Sequence, residues 1–171
     1  MARNEPVEIV CDAGPIIHLD ELGCLELLTD FGSILVPEGV WQEVTRHRPS
    51  ALDPDIIQLV RTNISLPQDT KLTTLIRAFA LDAGEQEALA LMVQRPTAIL
   101  LTDDAAARLV ADQLGMRVHG TIGIVLRAIR REQRTLAQVL ALLRELPQRS
   151  TLYIHPNLLK QIIEQVQHEY L

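Results

Sequence analysis

Short apolar, β-branched runs alternate along the chain with longer stretches in which apolar positions recur every three or four residues. The first run, Val7-Glu8-Ile9-Val10-Cys11, ends on Asp12 and a Gly-Pro pair, which predicts a strand stopping at a carboxylate. Helical spacing follows over about 15 to 30. Ser33-Ile34-Leu35-Val36 then predicts a second strand, and Pro37, at a first helical position, opens a helix to about Arg46. Between 47 and 81 the pattern is weakest, broken by Pro49, Pro54 and Pro67, and a third strand is placed near 61 to 65. A strong helical pattern runs from 82 to about 94, where Pro96 stops it, and the almost wholly apolar stretch 98 to 101 predicts a fourth strand leading into Thr102-Asp103-Asp104. A helix over about 104 to 114 closes at Gly115, residues 116 to 119 predict a fifth strand, and two or three helices complete the chain, the last from near Pro156.

Strands that alternate with helices and read as continuous apolar runs imply a parallel sheet covered on both faces, so the class is α/β. At 171 residues the chain has room for one domain, with a core over about 7 to 130 and helices over about 132 to 169. The last of these carries Leu158, Leu159, Ile162, Ile163 and Val166 on one side, a stripe that either packs on the core or offers a groove to a partner or a second copy. In such sheets ligands bind beyond the carboxyl ends of the strands, where strand order reverses. Two of the strands place acidic residues there.

Composition narrows the chemistry. The 16 basic and 22 acidic residues give a net charge of −6, which excludes a uniformly basic nucleic-acid binder but not a local arginine cluster. Five aromatics without an interleaved stripe argue against a base-stacking single-strand reader. Cys11 and Cys24 form neither a zinc pattern nor a disulfide framework and read as buried thiols. No apolar run is long enough for a membrane span and the first residues lack a signal peptide, so a cytoplasmic protein with no membrane association is expected. Histidines lack metal-ligand spacing, and there is no Gly-x-Ser-x-Gly elbow or phosphate-cradling glycine loop.

Acidic residues remain. Asp12 follows the first strand, Glu43 lies in the helix after the second, Glu85 stands at a helix start, and Asp103 and Asp104 follow the fourth strand. At about 100° per residue Glu85 shares a stripe with Ala88, Leu89 and Met92, which predicts that Glu85 faces the sheet and Glu87 the water. Inward carboxylates are costly unless a cation meets them, and several on one rim call for a divalent one. All-oxygen ligands select Mg2+ or Mn2+, ions suited to phosphodiester hydrolysis.

The stretch Ile9-Val10-Cys11-Asp12-Ala13-Gly14-Pro15-Ile16-Ile17 resembles the opening strand of a PIN domain, and Val36-Pro37-Glu38 through Trp41-Gln42-Glu43-Val44 resembles its second acidic motif. Leu81-Asp82-Ala83-Gly84-Glu85-Gln86-Glu87-Ala88-Leu89, and Leu100-Leu101-Thr102-Asp103-Asp104 with Ala107-Arg108, are similar to the third and fourth motifs of a prokaryotic PIN-like subgroup, in which Gly120-Thr121-Ile122-Gly123 also has a counterpart. The resemblance implies a three-layer sandwich around a five-stranded parallel sheet, and an acidic pocket that holds Mg2+ or Mn2+ and cleaves RNA with a metal-activated water. It also implies a toxin of a toxin–antitoxin pair, silenced by an antitoxin protein lying over the pocket. Carried over by position, Asp12, Glu43, Glu85 and Asp104 are the metal and catalytic carboxylates, with Asp103 an equal competitor of Asp104. The family commonly has Ser or Thr where this chain has Gly14, a departure that predicts weakened turnover.

Each acid has a plainer reading as well. Asp12 could be a turn residue or helix cap, Asp103 and Asp104 a cap beside a helix dipole, and Glu43 a solvated edge residue. Arg46, His47 and Arg48 are the better candidates for RNA contact, ahead of Arg127, Arg130, Arg131 and Arg134, while Arg108 is expected to pair with an acid. Two rival functions follow: a catalytically weak module that binds RNA or a protein, and a phosphotransfer enzyme with Asp12 as nucleophile, which lacks the second Asp expected at Gly14.

Overall fold

Five strands of three or four residues organise the chain in a computed structural model that describes residues 6–68 and 70–170. They are β1 (Ile9–Cys11), β2 (Ile34–Pro37), β3 (Val60–Thr62), β4 (Ile99–Leu101) and β5 (Arg117–His119). Every pairing is parallel and the order across the sheet is β3-β2-β1-β4-β5. The chain builds outward from β1 through β2 to β3, then crosses back to place β4 on the other side of β1. Strand order therefore reverses between β1 and β4, the place where an open parallel sheet leaves a crevice at its carboxyl edge.

The helices are α1 (Ala13–Glu21), α2 (Glu38–His47), α3 (Lys71–Phe79), α4 (Ala83–Gln94), α5 (Ala105–Gln113), α6 (Thr121–Arg130), α7 (Leu136–Arg149) and α8 (Pro156–Tyr170). The two-residue period of a strand divides them between two faces. Ile9, Cys11, Ile34, Val36, Ile99 and Leu101 point to a core completed by α1, α2, α6, α7 and α8. Val10, Leu35 and Leu100 point to a second core completed by α3, α4 and α5. Both cysteines are buried and unpaired, as their apolar settings predict. Burial on both faces is why these strands read as unbroken apolar runs.

The least readable stretch hides a helix and an edge strand. α3 starts at Thr70, whose side chain accepts from the Thr73 N–H, and stops at Ala80, which has φ 50° and no glycine to announce it. β3 spans Val60–Thr62, short of the 61 to 65 expected, because as an exposed edge it carries little apolar signal; Arg61 ties it to Glu38 of α2. The helix expected over about 15 to 30 is also corrected. α1 ends at Glu21, Gly23 turns the chain with φ 66°, and Leu25–Leu28 forms a separate 3-10 turn whose leucines are buried, so its apolar positions imitate a continuing helix.

The stripe on α8 packs inward: Leu159 and Val166 are buried and Ile162 and Ile163 lie against the first core, while Leu158 is left exposed. Among the described residues no helix is long and apolar enough to cross a membrane.

Candidate active site

At the carboxyl edge the two central strands deliver their next residues side by side. The Asp12 N–H donates to the Leu101 carbonyl at 2.9 Å, and the Thr102 N–H to that of His119 at 3.0 Å, so pairing continues one residue past β1 and β4. Asp12 has an extended backbone and caps α1: its Oδ1 accepts from the Ala13 N–H at 2.9 Å, and its Oδ2 accepts from the Thr102 hydroxyl at 2.8 Å. Only 7% exposed, the carboxyl is pushed up by burial to about 6, against the two hydrogen bonds and with help from the charges of Asp82 and Glu43.

Asp104 caps α5 by accepting the Ala107 N–H on Oδ1 at 2.7 Å, while its own N–H donates to Thr102 Oγ1 at 3.1 Å. Asp82 and Glu85 form a capping box at the start of α4. Asp82 Oδ1 accepts from the Glu85 N–H at 2.8 Å, and Glu85 Oε2 from the Asp82 N–H at 2.9 Å. Burial pushes Glu85 up to about 7; the Asp82 N–H opposes this, and the charges of Asp82, Asp104 and Asp12 add to it. Glu43, on α2, is also raised, by burial and then by Asp82, against the pull of His47 and Arg46.

These side chains line one cleft of ≈ 320 Å³, which brings together Asp12, Glu43, Glu85, Asp103 and Asp104 from four separate parts of the sequence. Asp82, His18 and the segment Thr151-Leu152-Tyr153 line it as well. None of those was read as a site residue. The Asp-x-x-Glu box at 82 to 85 is a signal that could have found Asp82. Nothing local announces His18 or the segment after α7.

The doubled acid is divided by the structure. Asp103 accepts the Thr121 N–H on Oδ1 at 2.7 Å, and on Oδ2 both the Thr121 hydroxyl at 2.6 Å and His18 Nδ1 at 2.7 Å. Burial raises its pKa, but these hydrogen bonds more than offset that and hold it below the usual carboxylate range. Both oxygens of Asp103 thus fasten α6 and α1 to the end of β4, whereas Asp104 has committed one oxygen and faces the acids of α4.

Three further expectations change. Glu87 is partly buried instead of water-facing, because its carboxylate accepts the Gly39 N–H at the start of α2 at 2.6 Å. Arg108 pairs with no acid among the described residues; its guanidinium donates to the Thr102 carbonyl at 3.1 Å. Arg48 is held by Asp20 at 2.6 Å, leaving Arg46 and His47 as the exposed members of that cluster. Arg127 and Arg131 pair with Asp30, and Arg134 with Glu26.

Unpaired acids crowd together in the cleft, whereas unpaired acids elsewhere, such as Asp53, Asp55 and Asp112, stand apart in water. Asp20, Asp30, Glu26 and Glu38 each have an arginine within 4 Å and Asp103 has His18, yet among the described residues Asp12, Glu43, Asp82, Glu85 and Asp104 have no such partner. An all-carboxylate set that is partly desolvated, mutually repelling and without an internal cation has the donor chemistry of a hard divalent ion. The side chains as placed do not close around a single ion: no group of three or more His, Cys, Asp or Glu among the described residues stands ready to hold one.

A family model described as a PIN domain matches residues 8–168. No curated protein matches the chain.

Proposed function

The chain belongs to the PIN-domain family, and from that premise we propose that it is a Mg2+- or Mn2+-dependent ribonuclease. The observation that carries this reading is the convergence of Asp12, Glu43, Asp82, Glu85 and Asp104 in one cleft at the β1/β4 switch point, with no cationic partner among the described residues. Asp12, Glu85 and Asp104 would hold the ion, each having one oxygen fixed by a backbone N–H at a helix start. Glu43 and Asp82 would complete the acidic rim. When bound, such an ion supplies Lewis-acid chemistry, activating water and neutralising the charge that develops on a phosphodiester under in-line attack.

The chain's own residues prepare the site. Thr102 orients Asp12, the capping box orients Glu85, and Asp103 clamps the start of α6 so that the floor cannot spread. Glu85, raised to about 7 while no ion is bound, would give up its proton as the ion enters, so metal binding should release protons near neutral pH. Arg46 and His47, exposed beside Glu43, would meet the RNA backbone.

Incubation of the purified chain with mixed RNA, with Mn2+, with Mg2+ and with chelator, beside Asp12→Asn, tests the reading. Metal-dependent cleavage that Asp12→Asn abolishes supports it. Tight metal or RNA binding without cleavage selects a binding module instead, and covalent capture of Asp12 by a phosphate analogue selects a phosphotransfer enzyme. In the same reading the chain is the toxin of a toxin–antitoxin pair, which requires a small open reading frame beside its own on the genome.

A further inference from the structure

We propose that Tyr153 is a substrate-positioning residue, its ring stacking on a base of single-stranded RNA beside the phosphate held in the acidic cleft. The proposal rests on the ribonuclease reading and adds a contact on the substrate's base, where the acids address only its phosphate.

Tyr153 lies in the connection between α7 and α8 and is 79% exposed, the most exposed large apolar side chain among the described residues. It is also the only Phe, Tyr or Trp lining the acidic cleft among those residues. Exposure alone is ordinary for a surface side chain; what singles out Tyr153 is that its large aromatic face is presented at the rim of the acidic cleft.

Its exposure does not come from a loose loop. Glu21, the last residue of α1, accepts the Thr151 N–H at 2.7 Å and the hydroxyls of Ser150 and Thr151 at 2.9 Å each. Ser150 Oγ in turn accepts the Leu152 N–H at 3.1 Å. On either side of Tyr153, Leu152 and Ile154 pack against the core. The segment therefore alternates inward, outward, inward, and sets the backbone of Tyr153 at the rim. With the backbone already ordered, stacking costs only the freedom of one side chain with two rotatable bonds.

The ring stands between two openings. On one side is the acidic cleft, and on the other an apolar groove between α7 and α8, which Tyr153 also lines and whose walls carry Arg144 and a Lys160–Glu164 ion pair at 3.8 Å. A strand leaving the cleft on this side would cross the ring before a later phosphate reached Arg144. Stacking on an aromatic face is indifferent to base identity, so the contact would set register along the strand more than sequence.

Cleavage of a short single-stranded RNA in Mn2+, resolved into kcat and KM, with 2-aminopurine next to the scissile position as a stacking reporter, tests the assignment. Tyr153→Ala is expected to raise KM roughly ten-fold and abolish the fluorescence quench, with kcat within about two-fold; Tyr153→Phe is expected to retain all three. If the native chain cleaves RNA and Tyr153→Ala leaves KM and quench unchanged, the proposal is overturned while the ribonuclease reading stands. Loss in Tyr153→Phe equal to that in Tyr153→Ala overturns stacking in favour of a hydroxyl contact. If the native chain neither binds nor cleaves RNA, both readings fall together.

Discussion

Thr102 joins two acids of the cleft through one hydroxyl: Oγ1 donates to Asp12 Oδ2 at 2.8 Å and accepts the N–H of Asp104 at 3.1 Å. The residue is fully buried and sits one position past β4, opposite Asp12 one position past β1. The two strands on either side of the switch point are thus locked together at the level where their carboxylates emerge, and the lock is a neutral group that adds no charge to the site.

Thr102→Val keeps the shape and removes the hydroxyl. Asp12 Oδ2 and the Asp104 N–H would then lie unmatched in a desolvated floor, at a cost of about 1–3 kcal/mol for a buried group left without its partner. Because the Thr102 bond is among those holding Asp12 down, the Asp12 carboxyl should rise further above about 6. Denaturant melts are expected to show the loss in Thr102→Val and near-native stability in Thr102→Ser. Equal stability of the two variants would show that the hydroxyl does not hold the floor.

The raised Asp12 carboxyl makes the folded chain bind its proton more tightly than the unfolded chain does. Its contribution to stability therefore falls as pH climbs from the ordinary value of 3.8 to about 6 and is flat above, a loss of about 3 kcal/mol at ~1.4 kcal/mol per unit. Glu85 acts with the same sign but is only half-buried, so solvent weakens its share. Asp12→Asn keeps an oxygen for the helix cap and sheds the charge. Without divalent ions it is expected to be more stable than the native chain at about pH 7.5 and indistinguishable below about pH 4. Mn2+ should raise the melting temperature of the native chain at about pH 7.5, do so far less at about pH 5 where protons compete, and leave Asp12→Asn nearly unmoved. A melt series over pH, with and without Mn2+, reads all three; a Mn2+ shift of the same size in Asp12→Asn would remove Asp12 from the metal set.

Gly14 stands where the family commonly has a hydroxyl, and the structure leaves room for one. A Cβ there would meet His18 Cε1 at 3.5 Å and Asp103 Oδ2 at 3.6 Å, ordinary contact distances, on a backbone that side chains adopt freely. Gly14→Ala, within α1, is expected to stabilise by about 0.5–1 kcal/mol through the unfolded state. Gly14→Ser should do less for stability yet raise metal-dependent cleavage several-fold above both Gly14 and Gly14→Ala. Comparing kcat of the three separates the hydroxyl from the helix effect, and equal rates would mean that turnover is not limited at this position.

Four strands were legible because β1, β2 and β4 carry apolar runs and the edge strand β5 sits after an evident helix end, with Gly115 at φ 67° marking the turn into it. α3 was not, since only Leu72 and Ile76 of its residues are buried and Ala80 ends it in a left-handed turn that alanine does not advertise. At the cleft, Asp12 and Asp104 were visible as strand-end acids, and Glu43 and Glu85 through helical phase. Asp82 was legible only as a helix cap, the box at 82 to 85 being its one local signal. His18 and Tyr153 depend on contacts between α1, the end of β4 and the segment after α7, which no local pattern encodes. The choice between Asp103 and Asp104 was undecidable in sequence because it turns on which of two adjacent carboxylates caps α5 and which reaches across to α6.

That division yields opposite outcomes for one chemical change at neighbouring positions. Asp103 accepts three hydrogen bonds on two oxygens, and an amide in its place keeps one oxygen for the Thr121 N–H but gives up the charge and obliges the Thr121 hydroxyl and His18 Nδ1 to turn from donors into acceptors. Asp103→Asn is therefore expected to destabilise by about 2–3 kcal/mol, since hydrogen bonds to a charged acceptor are among the stronger ones. Asp104→Asn retains an oxygen for the Ala107 N–H, and asparagine caps helices as well as aspartate does, so its stability should stay within about 0.5 kcal/mol of native. Metal should respond in the reverse sense: Mn2+ titrated by calorimetry is expected to bind Asp104→Asn at least ten-fold more weakly, while folded Asp103→Asn, measured well below its melting temperature, keeps most of its affinity. Should Asp103→Asn melt like the native chain and lose the ion, the assignments of the two carboxylates must be exchanged.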